Sequence, residues 1–365
     1  MKDFSFPMTE TKVPGLTQTY GLEDPKERRK YFDAKVGKEI VQIRNYLKDK
    51  TFIAFLMGKK NSGKGTYTKL FMDAVGAEHV AHVSVGDVVR NVHKEVMDES
   101  KRAELMEFLK KRYRGFLPLE KVFDVITGRD TKTLVPTEVI LALVERQVSK
   151  LGHKAIFIDG FPRSLDQIPY SLYLRAIIEH NNDRDFFVFI DVPEKAIDER
   201  MRYRVVCPIC QTPRNTKLLR TKNVGYDVKK KEFYLMCDNP SCNKVRMVPK
   251  EGDELGIEAL RDRIEADDKV MRKLLELHNV PKVLLRNSLP KNVALDHVDT
   301  YELTPSYRYE WNAVAKHVKV IEEPWTFNDD EGNLSYSLLP PPVVVSLIKQ
   351  VAQVLEEKST IKPKK

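Results

Sequence analysis

The chain has 365 residues, enough for one large α/β domain with insertions or for two domains. Its 42% apolar and 32% charged residues are ordinary for a soluble protein, and no apolar run approaches the ~20 residues that a helical membrane span needs. The net charge of +9 suits a nucleic-acid binder and a phosphate-handling protein alike, so it excludes neither.

Met1 to Pro7 has no apolar signal core, so no secretion signal is expected and the cytoplasm is the default. Residues 1–23 are polar, with Pro7, Pro14, Gly15 and Gly21, and read as an extended arm. Asp24-Pro25-Lys26-Glu27 is a helix start: an N-cap Asp, a Pro in first position and an acid three residues on. Tyr31, Phe32, Val36, Ile40, Ile43 and Leu47 then recur at helical spacing. They predict a helix over 25–49 whose stripe packs on the main domain rather than on a partner.

The most informative stretch follows. Phe52 to Met57 is an apolar run that reads as a buried strand. It enters a loop with Gly58, Ser62, Gly63, Lys64, Gly65 and Thr66, and a helical pattern with Leu70, Phe71, Ala74 and Val75 comes next. Loop amides and a helix N-terminus suit a polyphosphate, Lys64 reaches outer phosphates, and Thr66 approaches Mg²⁺. His79 to Arg90 reads as a short strand, a turn at Ser84-Val85-Gly86-Asp87 and a helix carrying Arg90. Residues 91–133 read as helical and highly charged, with Lys110 to Arg114 as a solvated face, and Val135-Pro136-Thr137-Glu138 opens another helix.

Ala155 to Asp159 is a second buried strand, and it ends in a carboxylate followed by Gly160-Phe161-Pro162-Arg163. Ligands of open parallel sheets sit at the carboxyl ends of strands, so Asp159 faces the phosphates and a held Mg²⁺. Phe186 to Asp191 is a further strand. Arg200 and Arg204 are expected on one face of the helix after it, as a phosphate clamp. All four cysteines fall between 207 and 242, as Cys207/Cys210 and Cys237/Cys242, a zinc pattern. The stretch between the pairs looks too polar to build a core. Residues 256–278 read as a helix with Arg261 and Arg272 eleven residues apart, about three turns, on the same side. Arg263 and Lys273 offer a competing register. Residues 280–316 show little periodicity and suggest no role. His317 to Ile321 reads as a last strand, Val343 to Leu355 as a last helix after Pro340-Pro341-Pro342, and 358–365 as a disordered tail.

Taken together, these blocks resemble the adenylate kinases, within the nucleoside monophosphate kinases. Gly58…Gly63-Lys64-Gly65-Thr66 is similar to their phosphate loop. Ser84-Val85-Gly86-Asp87…Arg90 is similar to their monophosphate motif. Asp159-Gly160-Phe161-Pro162-Arg163…Gln167 is similar to their most diagnostic block, and Asp191-Val192-Pro193 with Arg200 and Arg204 to the start of their lid. The resemblance implies a P-loop NTPase-type three-layer α/β fold with a five-stranded parallel sheet, a monophosphate-binding insert and a zinc lid. Its boundaries would be an arm and helix over 1–50, core over 51–83, insert over 84–135, core over 136–204, lid over 205–255, core with a C-terminal extension over 256–357, and the tail.

The implied reaction is reversible Mg²⁺-dependent transfer from ATP to AMP, giving two ADP, by a monomer without nucleic-acid or membrane partners. Gly58, Ser62, Gly63, Lys64, Gly65, Thr66, Arg200 and Arg204 would bind ATP. Ser84, Val85, Gly86, Arg90, Val135, Gly160, Arg163, Gln167, Arg261 and Arg272 would bind AMP. Lys64, Arg163, Arg204, Arg261 and Arg272 would act on the moving group. Asp159 and Thr66 would hold Mg²⁺, directly or through water, and the four cysteines a structural Zn²⁺. The chain departs from the pattern at Lys60-Asn61 and Val85, in its longer insert, lid and C-terminal third, and in its first 50 residues. Three rival readings stand beside this one: a UMP/CMP or other monophosphate kinase, a zinc-dependent nucleic-acid-binding protein, and an inactive nucleotide-binding scaffold.

Overall fold

The computed structural model describes residues 4–126, 135–178, 180 and 183–356. The expected disordered tail and the end of the charged helical stretch, 127–134, lie outside the described residues.

Helix α1 (Pro25–Tyr46) starts where expected, with Asp24 accepting from the amides of Lys26 and Glu27 at 2.9 and 3.0 Å. These bonds satisfy two donors that a helix start otherwise leaves unpaired. Strand β1 (Phe52–Met57) feeds the phosphate loop and α2 (Lys64–Val75). Strand β2 (Val80–Ser84) leads to α3 (Val85–Glu95), α4 (Glu99–Arg112), α5 (Leu119–Ile126) and α6 (Thr137–Ser149). Then come β3 (Ala155–Asp159), α7 (Ile168–Ile177), β4 (Arg184–Asp191) and α8 (Glu194–Arg202). A cysteine-bearing module holds β5 (Arg204–Val206), β6 (Pro213–Asn215), β7 (Val224–Asp227), β8 (Glu232–Leu235) and β9 (Val248–Pro249). The chain returns through α9 (Arg261–Leu275) to β10 (Lys282–Arg286), β11 (Ser288–Pro290), α10 (Ala294–His297), β12 (Pro305–Asn312) and β13 (His317–Pro324). It closes with β14 (Thr326–Asn328), β15 (Leu334–Ser337) and α11 (Pro340–Glu356).

Among the described residues, five all-parallel strands form the central sheet in the order β10-β4-β1-β3-β2. Helices flank both faces, consistent with the expected three-layer P-loop NTPase-type fold. Alternation along β1 splits the core. Phe52, Ala54 and Leu56 join α1, α2 and α11 on one face, while Ile53, Phe55 and Met57 join α3, α6 and α9 on the other. Phe52, Phe71 and Phe157 pack edge to face, with centroids 5.4 Å (Phe52–Phe157) and 5.1 Å (Phe71–Phe157) apart. The α1 stripe is buried against this core from Tyr31 to Leu47. Arg44 donates to the carbonyls of Ala74 and Val75 at 2.7 and 2.8 Å, capping α2, and so ties the N-terminal helix to the helix of the phosphate loop.

The N-terminal arm is irregular but packed. Thr11 and Tyr31 both donate to the buried carboxylate of Glu302 at 2.5 Å, and Lys35 reaches Asp299 at 2.7 Å.

Two expectations are corrected here. The segment read as the last strand, His317–Ile321, is a strand but not the last: it belongs to β13, which pairs antiparallel with β12, β14 and β15 follow it, and β10 supplies the fifth parallel strand. The physical reason lies in the burial pattern. Val283 and Leu285 are fully buried, whereas β13 is at most half-buried along its length, as a two-stranded ribbon must be. The cysteine module also has a small core: Val205, Leu235 and Met247 are buried with the cysteines, although of these three only Leu235 comes from the polar stretch between the pairs.

Candidate active site

The phosphate loop leaves β1 at Gly58. A Cβ there would meet Ser62 Oγ at 2.7 Å and the Ile190 carbonyl at 3.2 Å, so no larger residue lets the loop fold back this tightly. Gly63, at φ 96°, starts α2. Lys64 Nζ lies within the loop, donating to the carbonyls of Gly58 and Lys59 at 2.6 and 3.1 Å, and stands 3.9 Å from Asp159 Oδ1. Burial lowers its pKa, with Asp159 and Asp267 opposing the shift. Asn61 Nδ2 and Ser62 Oγ are buried in this loop without a protein partner. Orphaned polar atoms in a glycine cradle beside a buried lysine fit a polyphosphate, which supplies the missing acceptors.

Asp159 ends β3 and lies level with Ser84 of β2, which brings the second and third motifs together. A Cβ on Gly160 would sit 3.8 Å from Val85 Cβ. Arg163 lines a narrow cleft with Lys64, Asp159, Arg263 and Asp267. Burial pulls Arg163 below its ordinary pKa, and burial raises Asp267 against the pull of Lys64, Arg263 and Arg163. Gln167 is committed to the protein. Its Oε1 accepts from the Arg163 amide at 2.8 Å and its Nε2 donates to Thr137 Oγ1 at 3.2 Å, so it positions the arginine loop. Arg90 is exposed and paired with Asp87, whose amide is held by Ser84 Oγ at 3.3 Å. Val135 is half-buried just before α6, and Gly86 approaches the Arg90 guanidinium.

Three arginines stand elsewhere than expected. Helix α8 stops at Arg202, so Arg204 is not on the helix face with Arg200 but opens β5, where it grips Asp253 through two nitrogens. Arg261 is drawn to Glu194 and Glu258 at 2.7 and 2.6 Å. Arg272 pairs with Asp268 at 2.7 Å and lines a separate cavity. Of the competing pair, Arg263, two residues into α9, faces Asp267 and the cleft, whereas Lys273 is exposed and pairs with Glu276 at 2.7 Å.

A cavity of about 380 Å³ opens on the other side of the loop, lined by Gly63, Thr66, Arg200, Arg204, Leu218 and Leu339 among others. Its rear is a polar network that the sequence did not suggest. Asn287 Oδ1 accepts from Arg200 at 2.8 Å and from Ser337 at 3.1 Å, while its Nδ2 donates to Tyr67 at 2.9 Å. Nothing in a lone Asn and a lone Ser fifty residues apart signals such a contact. His82 is a second residue that the sequence reading passed over; burial lowers its pKa and Asp159 pulls the other way. A further cavity, of about 760 Å³, lies between the N-terminal arm and the β10–α11 segment and is lined by none of the phosphate-loop residues.

The four cysteine sulfurs lie within 4.8 Å of one another, with Cys210 and Cys237 3.6 Å apart. A tetrahedron of thiolates at about 2.3 Å from Zn²⁺ needs about 3.8 Å between sulfurs, so the set fits one ion. Burial pushes the Cys242 thiol up to about 12, whereas bonds with Thr212 bring Cys210 down to about 6. A cation is what stabilises four such groups together as thiolates.

The module joins the core through a tight neck. Asp198 accepts from the Ile257 amide at 3.0 Å and from Arg202 at 2.8 Å, and Gly256 sits at φ 57° beside it. A Cβ on Gly256 would collide with Asp198 Oδ1. Gly256→Ala is therefore expected to weaken the neck by on the order of 1–3 kcal/mol. Hydrogen exchange over 253–260 checks this, and unchanged protection there would contradict it.

A three-layer parallel sheet with this loop, a strand-end carboxylate and converging basic side chains defines a P-loop nucleotide-binding protein. The chain is similar to curated adenylate kinases. It is 28% identical over 226 residues to that of Clostridium novyi, 61% of this chain and 85% of the relative. It is 26% identical over 251 residues to that of Thermotoga neapolitana, 68% of this chain and 93% of the relative. It is 27% identical over 201 residues to that of Kosmotoga olearia, 54% of this chain and 74% of the relative. No family model matches the chain. The likeness supports a kinase-type, nucleotide-binding transferase. No described helix is long and apolar enough to cross a membrane.

Proposed function

We propose that this chain is a nucleoside monophosphate kinase that moves the γ-phosphoryl group of ATP reversibly to the phosphate of AMP, giving two ADP. The observation that carries the reading is the convergence of Lys64, Asp159, Arg163 and Arg263 on one cleft from three separate elements. The donor-side cavity lies on one side of it, and the approach of Val85 in the second motif to Gly160 in the third supports an acceptor on the other.

Phosphoryl transfer asks little covalent chemistry of a protein; it needs alignment, charge neutralisation and exclusion of water. An oxygen of the AMP phosphate bonds to the γ-phosphorus as the bond from that phosphorus to the β–γ bridging oxygen breaks, and ADP leaves. The loop amides and Lys64 hold the β- and γ-oxygens, and Lys64 follows the charge as it moves. Arg163 and Arg90 hold the acceptor phosphate. Arg263 takes the place first expected of Arg261 and Arg272, closing on the transferred group with Arg200 and Arg204. Arginine suits these roles because its planar fork meets phosphate oxygens in pairs. Asp159 and Thr66 would hold Mg²⁺, directly or through water, and the ion would supply positive charge against the phosphates. The cysteine module acts as a lid whose closure shuts out water, and its Zn²⁺ is structural, because four thiolates leave no open position.

AMP as the acceptor rests on the likeness to adenylate kinases, since Gln167 is engaged within the protein. The test is a panel. The protein with ATP·Mg²⁺ is given AMP, UMP, CMP and GMP in turn, and diphosphate formation is followed. AMP is expected to turn over fastest. Faster turnover of UMP or CMP would overturn the acceptor but keep the reaction class, and no transfer to any acceptor would leave an inactive scaffold.

A further inference from the structure

The segment between β10 and α11 builds a ribbon that stands on the lid. Its base is set in the core: Trp325 and Phe327 are buried and stacked at 4.6 Å, and Trp325 N donates to the Thr304 carbonyl at 2.9 Å. Its other part, the β12–β13 hairpin, is two strands with exposed faces, and such a ribbon is marginal on its own. Tyr307, Tyr309 and Trp311 alternate along β12 and so share one face, and that face meets the lid. Tyr309 Oη donates to the Thr216 carbonyl at 2.6 Å, and the Tyr307 amide donates to the Lys217 carbonyl at 2.8 Å. The Trp311 ring stacks on Tyr226 at 5.0 Å, the Tyr309 ring lies 5.6 Å from Phe233, and Arg220 covers the Tyr307 ring at 5.2 Å. Burial pushes the Tyr309 phenol up to about 12, so it stays a donor at neutral pH.

What this face grips matters for the reaction. The gripped segment continues into Leu218 and Leu219, which line the donor-side cavity opposite Thr304, Leu338 and Pro340 of the core. Asn215 holds the same turn from within, accepting from the amides of Lys217 and Leu218 at 2.9 and 2.8 Å.

We infer that the β12–β13 hairpin is a built-in positioning arm, through which Tyr309 and Trp311 fix the lid-side wall of the donor nucleotide site. Rooted in the core and bonded to the lid, it spans the two bodies whose approach forms that wall. Tyr309 touches no reacting atom; it acts through the backbone at Thr216. The arm favours the lid arrangement that receives the donor and leaves the acceptor side, built on α3 and the Arg163 loop, untouched. This inference rests on the kinase reading for its catalytic arm but not for its structural one.

The test compares Tyr309→Phe, Tyr309→Ala and Trp311→Ala in the full chain, using hydrogen exchange without nucleotide and steady-state kinetics with ATP and AMP varied separately. Both alanine variants are expected to lose protection over 215–236 while the central sheet keeps its own. Each is expected to raise KM for ATP about tenfold, the scale of a lost aromatic contact and hydrogen bond, with KM for AMP unchanged. Tyr309→Phe keeps the ring contact with Phe233 but loses the bond to Thr216, so its ATP KM should lie between those of the parent and Tyr309→Ala. Unchanged lid protection in both alanine variants would overturn the inference whether or not the protein proves to be a kinase. So would equal rises in the two KM values. Loss of protection in a protein that transfers no phosphoryl group would uphold the arm and refute the kinase reading instead.

Discussion

Replacing Lys64 with Ala is expected to lower phosphoryl transfer by on the order of 10²–10³-fold, the usual cost of losing one preorganised electrostatic contact to a developing charge. Lys64 is the only ammonium among the cleft residues Lys64, Asp159, Arg163, Arg263 and Asp267. Its protein contacts are two loop carbonyls and Asp159, so its removal breaks no packing of the sheet. Alanine also has high intrinsic helix propensity, so the exchange does not oppose the helical backbone of α2. Thermal melting should therefore stay near that of the parent while kcat falls. A variant that keeps most of the parent rate would remove Lys64 from the reaction. A variant that fails to fold would mean the loop depends on the ammonium for its own shape.

Removing the metal from the cysteine module is expected to have the second largest effect. Structural zinc in small modules contributes apparent folding energies of about 10–16 kcal/mol, against roughly 1–2 kcal/mol for each aromatic or hydrogen-bonded contact that the β12–β13 hairpin makes. The hairpin therefore cannot hold the lid alone. Chelation should release amide protection around the cysteines and in the β5-β6-β9 sheet, while the parallel sheet persists. Transfer should fall because Arg204 is framed by β5 and by its grip on Asp253, yet ATP should still bind the loop. Metal analysis of protein purified under reducing conditions, followed by hydrogen exchange before and after chelation, decides this. Absence of zinc, or a lid unchanged by chelation, would contradict the account.

How far the sequence could be read depended on whether chemistry or packing selects the residue. The phosphate loop was legible because a backbone that folds back on Ile190 and Ser62 tolerates only glycine at position 58, and a long cationic side chain at position 64 reaches back across the loop. Helix α1 was legible because one apolar stripe and an Asp-Pro start agree on the same element. The cysteine set was legible because two close Cys pairs at this spacing are a metal-ligand pattern. The fifth parallel strand was missed because it alternates poorly. Lys282–Arg286 has adjacent apolar residues at its centre with only Val283 and Leu285 fully buried, whereas His317–Ile321, of the same five-residue length, alternates polar and apolar more clearly and looked like the better strand. That alternation belongs to a two-sided ribbon, which no local pattern separates from a sheet edge.

The arginines show a different limit. Two cations eleven residues apart on a helix share a face, yet Glu194 and Glu258 take Arg261 and Asp268 takes Arg272, so helical phase alone does not say which arginine meets the cleft. Arg204 was misplaced by two residues, the distance between the end of α8 and the start of β5. The Arg200–Asn287–Ser337 network and the docking of Tyr309 on Thr216 join residues far apart in the chain, and such contacts leave no trace in periodicity or spacing.

The central claim is reversible transfer between two nucleotide phosphates, and it is tested most directly by giving the purified protein ADP and Mg²⁺ alone and following all nucleotides over time. The account predicts that ADP converts to ATP and AMP in equal amounts with no release of inorganic phosphate, and that the Lys64→Ala protein does this far more slowly. ADP that persists unchanged, or that yields AMP and phosphate without ATP, would contradict it.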